Sequence, residues 1–151
     1  MTLFMNFSRG QASLEYFLVL LIGVTAVGVT MAFVKEGMYG PGGVEEAASA
    51  LEAKAMAEQL ARVLDKAAAC DVGTRFTVGI KGRYSAQGSY TVSVEPTGQH
   101  DEYYVIVKGN GVKGVAKFYS FGKDVVVENV TVPGTVEVSV VEGPKLVVRN
   151  A

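Results

Sequence analysis

Between Tyr16 and Val34 no side chain carries a charge, and almost every residue is apolar or small. Lys35 and Glu36 end this run. A chain with such a segment must place it in lipid or against other apolar surfaces. As a helix rising about 1.5 Å per residue it spans roughly 28 Å, close to the hydrocarbon thickness of a bilayer. Three readings fit. The segment is a secretory signal peptide cut after a small residue such as Ala32, a permanent transmembrane anchor, or a helix that occupies the membrane only before it joins a filament.

The residues ahead of the run discriminate among them. Met1 to Gly10 form a short leader whose one formally charged side chain is Arg9, and Gln11-Ala12-Ser13-Leu14-Glu15 comes next. A carboxylate at the head of an apolar helix is costly in lipid unless it is paired or lies near the interface. A simple secretory signal has no use for it. Ser13 is expected to cap free amides of a helix beginning here, and Glu15 to complement the helix dipole.

The run Gly10-Gln11-Ala12-Ser13-Leu14-Glu15-Tyr16-Phe17-Leu18-Val19 resembles the class III signal peptide of archaeal type IV pilins. The family pattern is Gln-x-Ser-x-Glu with an apolar residue after three more positions, met here by Gln11, Ser13, Glu15 and Val19. Val19 stands where the family often has Leu. The resemblance covers only residues 9–34. It implies cleavage between Gly10 and Gln11 by a prepilin peptidase on the cytoplasmic side. It also implies polymerisation through the apolar helix, with an assembly ATPase and a membrane platform as partners. The precursor would then sit in the cell membrane and the product in an extracellular surface filament. Bacterial tight-adherence pseudopilins share a Gly-Gln junction and a Glu before an apolar run, but usually carry a proline soon after it. This chain has none before Pro41.

Four glycines and Pro41 within 37–43 predict a hinge, because proline lacks an amide and glycine is a poor helix former. Residues 44–73 read as an amphipathic helix rich in Ala, Glu, Leu, Lys and Met. Val44, Ala48, Leu51, Ala55, Leu60, Val63, Leu64 and Ala67 are its expected apolar stripe. Glu45, Glu46, Glu52, Lys54, Glu58, Arg62, Asp65 and Lys66 are its expected solvated face. From Thr74 the apolar period becomes two, punctuated by Gly, Pro, Asn and Asp. Residues 74–151 therefore predict a head of about seven short antiparallel strands, a β-sandwich or curved sheet. The expected class is α+β: a hydrophobic helix over 11–36, a second helix, then the β head. So small a head needs that second helix, or neighbouring subunits, to complete its core.

Chemistry-bearing residues are sparse. The 14 Lys+Arg and 15 Asp+Glu leave a net charge of −1, without the basic excess that neutralising phosphates requires. A single cysteine, Cys70, cannot close an intrachain disulfide and is expected as a small buried side chain. The lone His100, between Gln99 and Asp101, reads as a solvated turn residue. No catalytic set, cofactor loop or metal-ligand spacing is readable, so no enzyme activity and no cofactor are expected. Asn129-Val130-Thr131 matches the N-glycosylation acceptor pattern. Tyr84, Tyr90, Tyr103, Tyr104 and Tyr119 are candidates for an adhesive surface or for cross-strand packing. The leading expectation is a filament subunit. The alternatives are a membrane-anchored β-domain binding module and a minor pseudopilin of a secretion or uptake system.

Overall fold

The computed structural model describes residues 4–40, 42–82 and 88–151. Arg83, Tyr84 and Pro41 lie outside the described residues, as does the side chain of Gln11. The protein divides into two compact units, Met1–Glu45 and Glu46–Ala151. The fold is α+β, with a long apolar helix, an amphipathic helix and two β-sheets.

In the first unit, helix α1 runs over Phe4–Tyr39. No proline interrupts it, and Gly10 alone does not break it. The expected helix start near Ser13 is thereby corrected: Ser13 lies well inside α1, where the amides of the following turn already bond to preceding carbonyls. The expected hinge also begins later, since Gly37 to Tyr39 remain helical. A tight turn comes after them, with Gly40 donating to Glu36 O at 2.9 Å and Gly43 donating to Gly40 O at 2.8 Å. Gly42 adopts φ 76°, a backbone conformation open to glycine.

The second unit is built on helix α2, Val44–Ala68, from Glu46 onward, and eight strands: β1 Arg75–Ile80, β2 Tyr90–Pro96, β3 Glu102–Gly109, β4 Val112–Tyr119, β5 Asp124–Glu128, β6 Thr131–Val132, β7 Gly134–Val141 and β8 Lys145–Asn150. They form two four-stranded sheets, β1-β7-β8-β5 and β4-β3-β2-β6. The seven strands read from the period-two runs are present. The added one, β6, is two residues between Asn129 and Pro133, too short for any alternation to show. β5 pairs with β8 in parallel, an exception within otherwise antiparallel pairing. The chain leaves β5 for β6 in the opposite sheet and returns as β7, whose hairpin with β8 sends β8 in the same direction as β5.

The core is shared by α2 and both sheets. Ala53, Met56, Ala57, Leu60, Ala61, Leu64, Ala67 and Ala68 are buried on one side of α2. They cluster with Val105, Val107 and Phe118 of one sheet and Val136, Val138, Val140, Leu146 and Val148 of the other. This spacing of three and four is a helical face. It keeps Leu60, Leu64 and Ala67 of the expected stripe but departs from it toward the start of the helix, where Val44 and Leu51 are 65% and 57% exposed. Small residues decide the face, because alanines let the helix approach the sheets where leucine would hold it off. Glu52, expected in solvent, is 2% exposed, and its Oε2 has no hydrogen-bond partner among the described residues.

α2 ends at Ala68 rather than 73. Lys123 Nζ donates to the Ala68 carbonyl, capping the last turn. Gly73 then donates to Val140 O at 2.8 Å and Val140 to Thr74 O at 2.9 Å, which draws the chain into the β1–β7 pairing. At the other edge, Asp65 Oδ1 accepts the Tyr119 amide at 2.8 Å, fixing α2 to the end of β4.

Candidate assembly helix

α1 places the residues of the Gln-x-Ser-x-Glu pattern on one continuous helix. Positions four apart on a helix lie on one face, so Gln11, Glu15 and Val19 share a stripe. Ser13, two positions from Gln11, is turned about 200° from it. Ser13, Glu15 and Val19 are all exposed.

The stretch Ser13–Met38 has a mean hydropathy of 2.5, and none of its most apolar window is buried. Its length suffices to cross a membrane, as an anchor or as a signal sequence. Leu14, Tyr16, Phe17, Ile22, Met31 and Phe33 are each more than half exposed. So much apolar surface on one helix is a strong drive to leave water. Two polar groups in its interior are already satisfied. The Thr25 hydroxyl donates to Leu21 O at 2.7 Å and the Thr30 hydroxyl to Ala26 O at 2.8 Å. Neither needs water or another helix as a partner, which lowers the cost of placing both in an apolar medium. Glu15 is the one side chain between Ser13 and Val34 that is charged at neutral pH.

The other residues singled out in the sequence are dispersed over the head. Asn129 is exposed in the bend between β5 and β6, with φ 44°. Cys70 is half-buried just past α2, its thiol donating to Lys66 O at 3.2 Å, rather than buried as expected. The helix has already ended there, so the side chain stands at the margin of the core. His100 is almost fully exposed and pairs with the neighbouring Asp101 at 2.9 Å. Tyr90 is buried, and Tyr103 stacks on Phe118 with ring centroids 5.7 Å apart. Tyr104 lies under the Lys117 ammonium at 5.7 Å, and Tyr119 is exposed. These tyrosines therefore do not make one surface. Among the described residues no group of three or more His, Cys, Asp or Glu is placed to hold a metal ion.

Two buried carboxylates carry no signal in the sequence. Glu52 lies against Gly82, where a Cβ would overlap its Oε1. Glu102, 4% exposed, is paired to Lys117 Nζ at 3.0 Å. This pairing holds the Lys117 ammonium above its ordinary range, through the direct hydrogen bond to Glu102 first and the carboxylate's charge second.

No protein-family model, curated protein or solved structure matches this chain.

Proposed function

We propose that this chain is a structural subunit of an archaeal type IV pilus-like surface filament. In this reading a prepilin peptidase cuts between Gly10 and Gln11. The precursor waits in the cell membrane, and an assembly ATPase and membrane platform transfer it to a filament on the cell surface. The subunit works by polymerising and performs no catalysis.

The observation that carries this reading is the pairing of a bare apolar run, wholly helical, with one carboxylate at its head. Glu15 is one helical turn from Gln11. Cleavage would make Gln11 a new cationic terminus. In an apolar bundle that terminus and the Glu15 carboxylate of a neighbouring copy neutralise each other, and neither charge is then left uncompensated. A permanent anchor gains nothing from a carboxylate there.

Intact mass and N-terminal sequencing of the protein from its native envelope test the proposal. The expected chain begins at Gln11. A chain beginning at Met1 identifies a permanent anchor, and one beginning near Phe33 an ordinary secreted domain; either overturns the assignment. Purified filaments with this chain as their main component separate the filament subunit from a minor pseudopilin.

A further inference from the structure

The head opens between two sheet edges, and every residue lining the opening belongs to the second unit. β2 and β5 flank a cleft of about 400 Å³ lined by Val92, Val94, Val125 and Val127, with Ser93 and Asn129 among its margins. β6 covers the edge of β2 only at Tyr90 and Thr91. The pairing ends where the Val92 amide donates to Val130 O at 3.0 Å.

Strand alternation fixes the direction of the next main-chain groups. Since Val92 points its amide away from β3, the amide and carbonyl of Val94 point the same way, into the cleft. On the facing wall Asp124 donates to Pro144 O beside β8 at 3.1 Å. The main-chain groups of Val125 and Val127 therefore point away from β8, also into the cleft. Among the described residues no strand pairs with these cleft-facing groups. Below them the side chains of Val94, Val125 and Val127 are half-buried against the core.

An edge of this kind is a template for another strand unless a charge, a proline or a bulge blocks it. Pro96 bounds the slot at the end of β2. The two strands that form it carry charges of one sign, although Lys145 and Arg149 of β8 stand opposite Asp124 and Glu128 in the parallel register. Glu95 on β2 and Asp124 and Glu128 on β5 are exposed, and neither strand carries a Lys or Arg.

We propose that the cleft between β2 and β5 binds an extended cationic peptide segment by strand addition. The segment's main chain pairs with Val94 on one side or Val125 and Val127 on the other. Its alternate small apolar side chains face the four valines, and its flanking lysines or arginines face Glu95, Asp124 and Glu128. Main-chain pairing supplies the affinity, and the acidic rim selects the sign of the partner.

The test uses the full chain in detergent micelles and measures amide hydrogen exchange residue by residue. The probe is a capped Lys-Val-Thr-Val-Lys peptide, with Glu-Val-Thr-Val-Glu as its counterpart. At saturating lysine peptide, exchange at Val94, or at Val125 and Val127, is expected to slow by roughly tenfold or more. The glutamate peptide is expected to leave it unchanged. Glu95→Lys with Asp124→Lys, both at exposed positions, is expected to weaken binding about tenfold with the head still folded. Unchanged exchange with the lysine peptide overturns the proposal, as does equal slowing by both peptides. Slowing that tracks protein concentration without any peptide also overturns it, and assigns the cleft to a second copy of this chain.

Discussion

Gly114 of β4 lies directly against the main chain of α2, so that a methyl group at Gly114 would overlap the Ala53 carbonyl and the Lys54 amide. The obstacle is backbone, which cannot rotate aside as a side chain can. Gly114→Val must therefore move the helix off the sheet or distort β4. The expected loss is about 2–4 kcal/mol of head stability. Gly79→Ala on β1 is the control, because a Cβ there meets nothing within 4 Å, and it should change stability by no more than about 0.5 kcal/mol. The chain has no Trp, so urea unfolding followed by circular dichroism is the suitable readout.

Leu60 and Leu51 test which face of α2 is packed. Leu60 is 1% exposed and Leu51 57% exposed. Leu60→Ala should cost about 2–5 kcal/mol, from lost burial and the cavity left behind. Leu51→Ala should stay within about 0.5 kcal/mol. Equal losses from the two would mean that α2 packs through a different face.

That contrast marks where the sequence stops being informative. The apolar run of α1 and the period-two strands were legible because their patterns are long and the alternatives differ in charge or period. The face of α2 was legible only in its second half, at Leu60, Leu64 and Ala67; toward its start the alanines supply almost no hydropathy contrast while they decide how closely the helix can approach. Glu52 looked like a solvated charge, since nothing local distinguishes a carboxylate that tertiary packing will cover. The parallel β5–β8 pairing depends on the crossing through β6, two residues with no readable period. Of the residues proposed for assembly, the common stripe of Gln11, Glu15 and Val19 follows from their spacing once the segment is helical. The cleft was invisible, because it belongs to two strand edges about thirty residues apart in sequence.

The Asp65 carboxylate is the link between α2 and the end of β4, through the Tyr119 amide at 2.8 Å. Asp65→Ala leaves that amide without its acceptor. A charge-assisted bond of this kind contributes about 1–2 kcal/mol at a partly exposed site. Amide exchange at Tyr119 should accelerate markedly, while amides in β7 and β8 keep their rates apart from the general loss of stability. Unchanged exchange at Tyr119 would remove Asp65 from this role.

The Glu102–Lys117 pair predicts an alkaline limb. Lys117 is raised above its ordinary value of 10.5 in the folded protein, chiefly by its hydrogen bond to Glu102. A raised folded value means that the folded protein holds this proton more tightly than the unfolded chain. Its contribution is fully present below about pH 10.5 and is lost as pH rises through the raised value. The thermal midpoint of Lys117→Met should be lower than that of the parent at neutral pH. The gap should narrow above pH 10.5. A gap that stays constant through that range would mean that the proton on Lys117 does not contribute to folding.

Glu15→Gln isolates the charge on α1 from its shape. The amide keeps the length of the side chain and the helix, but cannot neutralise a cationic terminus at Gln11. If that pairing sets the register of assembly, filament yield should fall by about tenfold or more. The head should unfold at the parent's urea midpoint, because Glu15 lies in the other compact unit. Processing at Gln11, read by N-terminal sequencing, separates the outcomes. Cleaved subunits that fail to assemble place Glu15 in the polymerisation step. Uncleaved chains place it in peptidase recognition. Normal filaments from Glu15→Gln would show that the carboxylate has no part in assembly and would remove the main support for the pilin reading.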